Sequence, residues 1–339
     1  MAIQADNYLD LVATTLNDLD ELKWTDLTTD LQEMIFLPKI LKKEKVGFQS
    51  GIGIKKNILL DHNHSARNVG LYTKDRIDVA DGYTSITVPW RHTTASWAVE
   101  RRVMKMNREP ARIVDLVDGE RKKCMISLAE KMEENGWGGP ADSADDVTPH
   151  GITYWLQTNA TEGFNGGDPT AGARGGLSST TQPRWANWSG TYAVVSRADL
   201  IRKMKKAATM TKFIPPVKVP RGGEGRYGYY TNYSCLAQIE ERLQDQNDNL
   251  GPDVAAMEGQ AIFRRTPIVY VPYLDRRTDD PVIGINWRFL EPVFLEGEYL
   301  AEEGPDKVPG MHTTYQSFID LTWNLVCSDL RRQWILYKA

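Results

Sequence analysis

Between residues 107 and 136, apolar side chains return every three or four positions. Ile113, Val117, Cys124, Leu128 and Met132 form one stripe, and Leu116 and Met125 widen it. The spacing predicts a single amphipathic helix of about eight turns, a rod about 43 Å long, well beyond the usual three or four turns. Asn107 can cap its start, and Pro110 falls in the first turn, where a missing N–H costs little. Gly136 stands where a left-handed C-terminal cap is wanted. A strand-forming segment containing Trp90 and Trp97 precedes the rod, and a loop rich in Gly, Asp and Ser follows it.

Upstream, residues 1–43 read as an arm of two short helices. Tyr8, Val12, Leu16 and Leu19 make one stripe; Leu27, Leu31, Met34 and Ile35 make another, before Pro38 interrupts. Helices this short are marginal alone and must pack on their own domain or on a neighbouring subunit. Residues 51–61 read as a strand. Alternation at Ser85–Val88 and Ser96–Val99, with turn residues Ala80-Asp81-Gly82, predicts a long exposed two-stranded hairpin within 66–104. A lone hairpin is barely stable in water, so an extended one is expected to lie on a partner.

Residues 137–190 are loop-rich, and six glycines in GFNGGDPTAGARGG make that run flexible or tightly turned. Ser196-x-x-Asp199 reads as a capping box for a helix carrying Leu200 and Met204, which must stop by Pro215-Pro216. A Gly-rich turn at 221–225 leads to the strand YGYYTNY. A helix with Leu236, Ile239 and Leu243 on one face follows, and then the strand pair in AIFRRTPIVYVPYL. The tail alternates again. Pro292 marks an edge or bulge. Ile319, Leu321, Trp323, Leu325 and Cys327 share one strand face, Ser328-Asp329 turns the chain, and RRQWILY closes it. No internal repeat is evident.

Composition narrows the function more by exclusion than by pointing to one. The 339 residues are 41% hydrophobic and 25% charged, enough for one elaborate or two simple globular domains. The net charge of −4 gives no global basic field, so any contact with nucleic acid needs a local patch. The candidates are Arg202-Lys203-Lys205-Lys206 and Lys39-Lys42-Lys43-Lys45; both read first as solvated helix faces. Three scattered cysteines, Cys124, Cys235 and Cys327, without a CxxC fit a reducing cytosol. The acidic start MAIQADNYLDL is not a signal peptide, no apolar run reaches membrane-spanning length, and the N-x-S/T matches at Asn159, Asn187 and Asn232 are chance.

Reactive constellations are hard to find. Of His62, His64, His92, His150 and His312, only His62-x-His64 beside Asp61 has ligand spacing, and two imidazoles without a third ligand read as a turn after a strand. GIGIKKN lacks the third glycine of a dinucleotide fingerprint, and no phosphate-loop, nucleophile-elbow or HExxH motif occurs. The acid pairs Glu133-Glu134, Glu240-Glu241, Asp279-Asp280 and Glu302-Glu303 are consecutive and so do not converge on a helix; they read as solvated surface. No catalytic residue, cofactor site or metal site is expected. Ten tryptophans is a high count, which fits core packing, large interfaces or a sugar platform.

The order of parts resembles the major capsid protein of tailed double-stranded DNA phages, with the Hong Kong 97-type fold. The segments VPWRHTTASWAVERRVMKMNREPARIVDL, GGLSSTTQPRWANWSGTY and DLTWNLVCSDLRRQWILYK carry the likeness, which covers nearly the whole chain. It implies an α+β fold with an N-terminal arm and first strand at 1–65 and an E-loop hairpin at 66–104. A peripheral (P) domain at 105–191 would hold the spine helix at 108–135. An axial (A) domain would span 192–284, and return strands to the P domain 285–339.

The resemblance further implies a non-enzymatic shell subunit that assembles into pentamers and hexamers. The icosahedral capsid would enclose double-stranded DNA, contacted non-specifically on the inner face. The protein would be made in the host bacterial cytoplasm and reside in the virion. Implied partners are other copies of the chain, a separate scaffolding protein, a portal and decoration proteins, with no membrane. Some relatives join subunits by a Lys–Asn isopeptide bond; Lys74 lies in the hairpin, but no Asn partner or activating acid can be assigned, so cross-linking is not expected. Two rivals remain: an encapsulin-like nanocompartment shell protein and an α+β hydrolase.

Overall fold

A computed structural model describes residues 34–41, 46–61, 66–71, 82–106, 110–212, 227–247, 261–264 and 266–339. The stripes at Tyr8–Leu31, His62, His64, Lys74, the cap at Asn107 and the prolines at 215–216 lie outside the described residues.

The first elements, in chain order, are helix α1 (Leu37–Ile40) and strands β1 (Gly47–Gln49), β2 (Gly53–Leu59), β3 (Tyr83–Pro89) and β4 (Arg91–Glu100). Helices α2 (Arg101–Met106), α3 (Pro110–Trp137) and α4 (Ile152–Trp155) follow, then β5 (Gly163–Phe164) and β6 (Trp188–Tyr192). Next come α5 (Leu200–Met210), β7 (Tyr227–Thr231), α6 (Tyr233–Asn247), β8 (Ile262–Phe263) and β9 (Thr266–Tyr270). The chain ends with β10 (Val282–Asn286), β11 (Leu290–Leu295), β12 (Ala301–Lys307), β13 (Thr314–Cys327) and β14 (Trp334–Lys338).

Among the described residues these strands form three sheets. One has five strands, β1-β11-β13-β12 with β4 on the other side of β13; one has seven, ordered β5-β6-β14-β10-β7-β9-β8; and β2 pairs with β3 alone. The long helix expected from the apolar stripe is present, with Val117, Cys124, Leu128 and Met132 all buried. Val117, Cys124 and Leu128 pack on Trp97 and Val99 of β4 and on Tyr315 and Ile319 of β13. Arg121 on the helix reaches Glu302 on β12 at 3.0 Å, tying the rod to the far side of the same sheet.

Strand β13 links two cores. Its first half lines the core under α3, and from Leu321 onward it enters the central core with Trp155, Trp287 and Phe294. There both faces are covered: Thr322, Asn324 and Val326 are as buried as Leu321, Trp323 and Leu325. The seven-stranded sheet is likewise covered twice. Ile283, Ile285 and Ile335 face the central core, while Tyr229, Val282, Trp334 and Leu336 face Leu200 and Met204 of α5 and Cys235 and Ile239 of α6.

Several local expectations need correction. Ser85–Val88 and Ser96–Val99 do not pair with each other. Strand β3 pairs antiparallel with β2, Ile54 opposite Val88 and Leu59 opposite Tyr83, whereas β4 pairs with β13. Only Trp90 separates β3 from β4, which leaves no turn to reverse the chain. The side chains agree, because Ile86 and Val88 enter the central core while Trp97 and Val99 enter the one under α3.

Pro38 does not interrupt a helix but lies in the first turn of α1, where its missing N–H is harmless. Gly136 is no left-handed cap, since α3 continues through it to Trp137. Within 285–339, β11, β12 and β13 lie in the five-stranded sheet, whereas β14 runs between β6 and β10 of the seven-stranded one. Pro292 is interior to the sheet order, yet β1 begins pairing only at Val293, so Pro292 needs no donor on that side.

Candidate functional site

The β2–β3 ribbon shows strict alternation. Ile54, Ile58, Ile86 and Val88 point inward and are buried, while Lys55, Asn57, Ser85 and Thr87 face solvent. Lys56 shares the inward face and meets the Glu291 carboxylate of β11 as an ion pair. Further contacts hold the ribbon down. The Thr87 N–H donates to the Gly175 carbonyl at 3.0 Å, and the Trp90 indole donates to the Gly51 carbonyl at 2.7 Å. Arg184 pairs with Asp61 at 2.6 Å. Unburied apolar surface lies where the ribbon ends, with Leu59 60% exposed and Tyr83 opposite it 76%; Leu71, within the connecting segment, is 92% exposed. Beside this end lies a cleft of about 690 Å³ lined by Ile58, Leu60, Arg184, Trp185, Asp329 and Arg331.

A second feature anchors the segment Met34–Ile40 to the long helix. The carboxylate of Glu133, in the last turns of α3, accepts from the backbone N–H groups of Ile35, Phe36 and Leu37 at 2.8–3.0 Å. It also accepts from the Trp137 indole at 2.8 Å. A carboxylate from elsewhere in the chain thus caps α1, whose own cap residue, Phe36, offers no side-chain acceptor. Glu134 turns the other way, to Arg276 at 2.5 Å and Lys131 at 2.9 Å; those hydrogen bonds, Arg276's the larger, hold its carboxyl below the usual range. The two acids are therefore tethered rather than simply solvated.

The Gly-rich loop is tightly turned, and Arg174 is the reason. Its guanidinium is fully buried and donates to the Trp155, Gly166 and Trp185 carbonyls and to Asn187 Oδ1, at 2.7–3.1 Å. Burial pulls its pKa down to about 10, and Asp168 acts against that. Gly175 follows at φ +60° with Ile86 packed against it, a conformation that favours glycine. The side chain of Asn187 returns bonds to Gln157 and Trp188, so this N-x-S match is a buried structural hub.

The sequence candidates are now placed. All three cysteines are buried and unpaired. Of the described histidines, His150 is stacked on Tyr154 at 3.9 Å, and burial, reinforced by Arg91, lowers its pKa to about 3. His92 bonds Thr322 Oγ1 at 2.7 Å on the sheet surface. Glu302 serves the Arg121 bridge, Asp279 pairs with Arg277 at 2.5 Å, and Asp280 accepts from Asn232 at 2.6 Å. Among the described residues no group of three or more His, Cys, Asp or Glu is placed to hold a metal ion, and no helix is long and apolar enough to cross a membrane. Trp97, Trp137, Trp155, Trp185, Trp188, Trp287, Trp323 and Trp334 are all buried, which settles those tryptophans as packing rather than a sugar platform. Sequence reasoning missed Glu133 and Arg174. An acid within a charged helix and an arginine within a glycine run carry no signal of burial.

The whole architecture has solved counterparts. The structure matches the capsid asymmetric unit of cyanophage A-1(L) over 96% of this chain and 98% of that one, with a TM-score of 0.65 at 14% identity. The fold is that of phage capsid proteins. The capsid of cyanophage P-SCSP1u matches over 95% of this chain and 93% of its own, at TM-score 0.53 and 12% identity. The capsid of the native GTA particle matches over 95% and 96%, at 0.52 and 12%. No protein-family model matches the chain, and no curated protein matches it. The α+β capsid fold expected from the order of parts is therefore the fold observed.

Proposed function

We propose that this chain is the major capsid protein of a tailed phage. It assembles into pentamers and hexamers, and those close an icosahedral shell around double-stranded DNA. The observation that carries the reading is the end-to-end structural match to a cyanophage capsid subunit, with almost nothing left over in either chain. On this reading the β2–β3 ribbon and the segment between its strands act as the E-loop, α3 is the spine helix of the P domain, and the seven-stranded sheet with α5 and α6 is the A domain. The exposed Leu59, Tyr83 and Leu71 lie over a neighbouring subunit, where closure of the shell makes many weak contacts at once. The role is structural rather than catalytic. Scaffolding, portal and decoration proteins are separate partners, and the protein is made in the host cytoplasm and resides in the virion.

Electron microscopy of the purified full-length chain, with and without a co-expressed scaffold, tests this directly. Closed shells of uniform size containing DNA when isolated from infected cells are expected. A species of only 38.3 kDa at high concentration under both conditions overturns the reading. Closed shells that carry a protein cargo and no DNA turn it into a compartment shell.

A further inference from the structure

The basic run at 202–206 is the motif that the fold leaves without a role. Helix α5 and the two residues after it, Leu200–Lys212, carry five cations (Arg202, Lys203, Lys205, Lys206 and Lys212) and no acid, in a chain whose net charge is −4. Leu200, Met204, Ala207 and Ala208 turn inward onto the seven-stranded sheet, which places Arg202, Lys205 and Lys206 together on the outward face at i, i+3 and i+4. Lys203 is held by Asp199 at 2.6 Å and Lys206 by Glu162 at 2.9 Å. Arg202, Lys205 and Lys212 have no ion pair among the described residues. Arg264 adds a sixth cation: its guanidinium donates to the Lys205 carbonyl and to Thr209 Oγ1 at 3.2 and 2.9 Å, which fixes it beside the last turns of the helix.

We infer that this face of α5, with Lys212 and Arg264, is a contact surface for the phosphate backbone of double-stranded DNA. The inference rests on the proposed shell function and names the surface where that shell meets its contents. An eleven-residue helix is about 16 Å long, so its face runs past about four or five successive phosphates of one strand. The cations sit on a helix packed against the sheet, a fixed scaffold of the kind that backbone contacts without base readout require. A second copy of this chain is the competing occupant. The neighbouring helix α6 offers Glu240 and Glu241 followed directly by Arg242, a poor complement to an uninterrupted basic face.

The test uses the full-length chain before assembly and a random-sequence duplex of about two helical turns. Binding is measured at about 50 and 200 mM salt. The variant Arg202→Gln/Lys205→Gln/Lys206→Gln is compared with Arg102→Gln/Lys123→Gln/Lys131→Gln, which removes three exposed cations elsewhere. Thermal melts confirm that both fold.

The α5 variant should lose about 2.7 units of the log–log salt slope, so its affinity falls ~40-fold less than wild type across that salt interval. The control should keep the wild-type slope. Equal loss in both variants, or unchanged binding by the α5 variant, overturns the inference. So does failure of the α5 variant to close shells while it still binds duplex normally, which makes the face a subunit contact. Wild-type shells form or fail to form in a separate assay, so failure of the shell reading is distinguished from failure of this one.

Discussion

The ring of Phe36 fills the space that a side chain on Gly136 would need. A Cβ built on Gly136 would lie 2.2 Å from Phe36 Cδ1, far inside contact distance. Phe36 is wholly buried, its ring 6.3 Å from Trp137 and 5.9 Å from Trp287, and its N–H is held by Glu133. The last turn of α3 and the segment Met34–Ile40 are thus one packed unit, which gives two glycines of the same helix opposite roles.

Gly136→Ala should destabilise the protein by about 1–3 kcal/mol, because overpacking against a buried ring outweighs the gain in helix propensity. Gly119→Ala, where an added Cβ meets nothing within 4 Å, should stabilise it by about 0.5–1 kcal/mol. Urea unfolding of both variants measures the pair; the same sign for both would mean that the approach of Phe36 to α3 is wrong.

Truncation should be sharply dependent on its end point. Removing residues 1–33 should leave a cooperative melt. Removing 1–43 should abolish it, because Phe36, Leu37 and Ile40 belong to the central core. Burial of that kind is worth roughly 2–5 kcal/mol per large side chain, comparable to a domain's whole stability. Glu133→Ala should weaken the same junction by about 1–3 kcal/mol by orphaning the α1 N–H groups. Calorimetry of the three variants decides it, and an intact melt after removal of 1–43 contradicts the packing described.

Acid should unfold the protein partly through His150. Its folded pKa, about 3, lies below the ordinary 6.5 because burial disfavours the imidazolium. The unfolded chain therefore binds the extra proton, and stability that is fully present above about pH 6.5 is lost as pH falls toward 3. Between about pH 6.5 and 5 the loss should be roughly 1.5 kcal/mol, a window in which most carboxylates stay ionised. His150→Phe keeps the stack on Tyr154 and should flatten that slope. A wild-type slope in this variant would place the titrating group elsewhere.

Leu128→Asp should prevent folding, since it buries an unpaired carboxylate against Trp97 and Tyr315 at a cost of several kcal/mol. Lys122→Ala should leave the protein folded and cost about 1–3 kcal/mol, because it removes the partner, at 2.6 Å, of the largely buried Asp118 carboxylate. Circular dichroism melts separate the two, and a folded Asp variant would displace the buried face of the rod.

Legibility from sequence followed the range of the interaction. The rod, the strands at 53–59, 227–231 and 290–295, the two helices after Ser196, and the turn at Ser328-Asp329 were readable, because each is set by spacing within a few residues. Only half of the expected capping box forms at Ser196-x-x-Asp199. Ser196 Oγ does accept from the Asp199 N–H at 3.2 Å, but Asp199 turns back to the Ala193 and Val194 N–H groups. Strand pairing was misread where two adjacent strands had equally good patterns. Alternation places a residue on a face but does not say which sheet that face joins.

By itself the amino-acid sequence determined the long helix with its buried stripe, the two helices after Ser196 and several of the strands, since periodicity and apolar burial act locally. Tertiary structure alone decided that β3 turns to β2 and β4 to β13, that β14 enters the seven-stranded sheet, and that Glu133 caps a helix about a hundred residues away. It also buried Arg174 among carbonyls. These relationships join residues far apart in the chain, and they exist only once closed packing has chosen one set of partners from many that the local pattern allows.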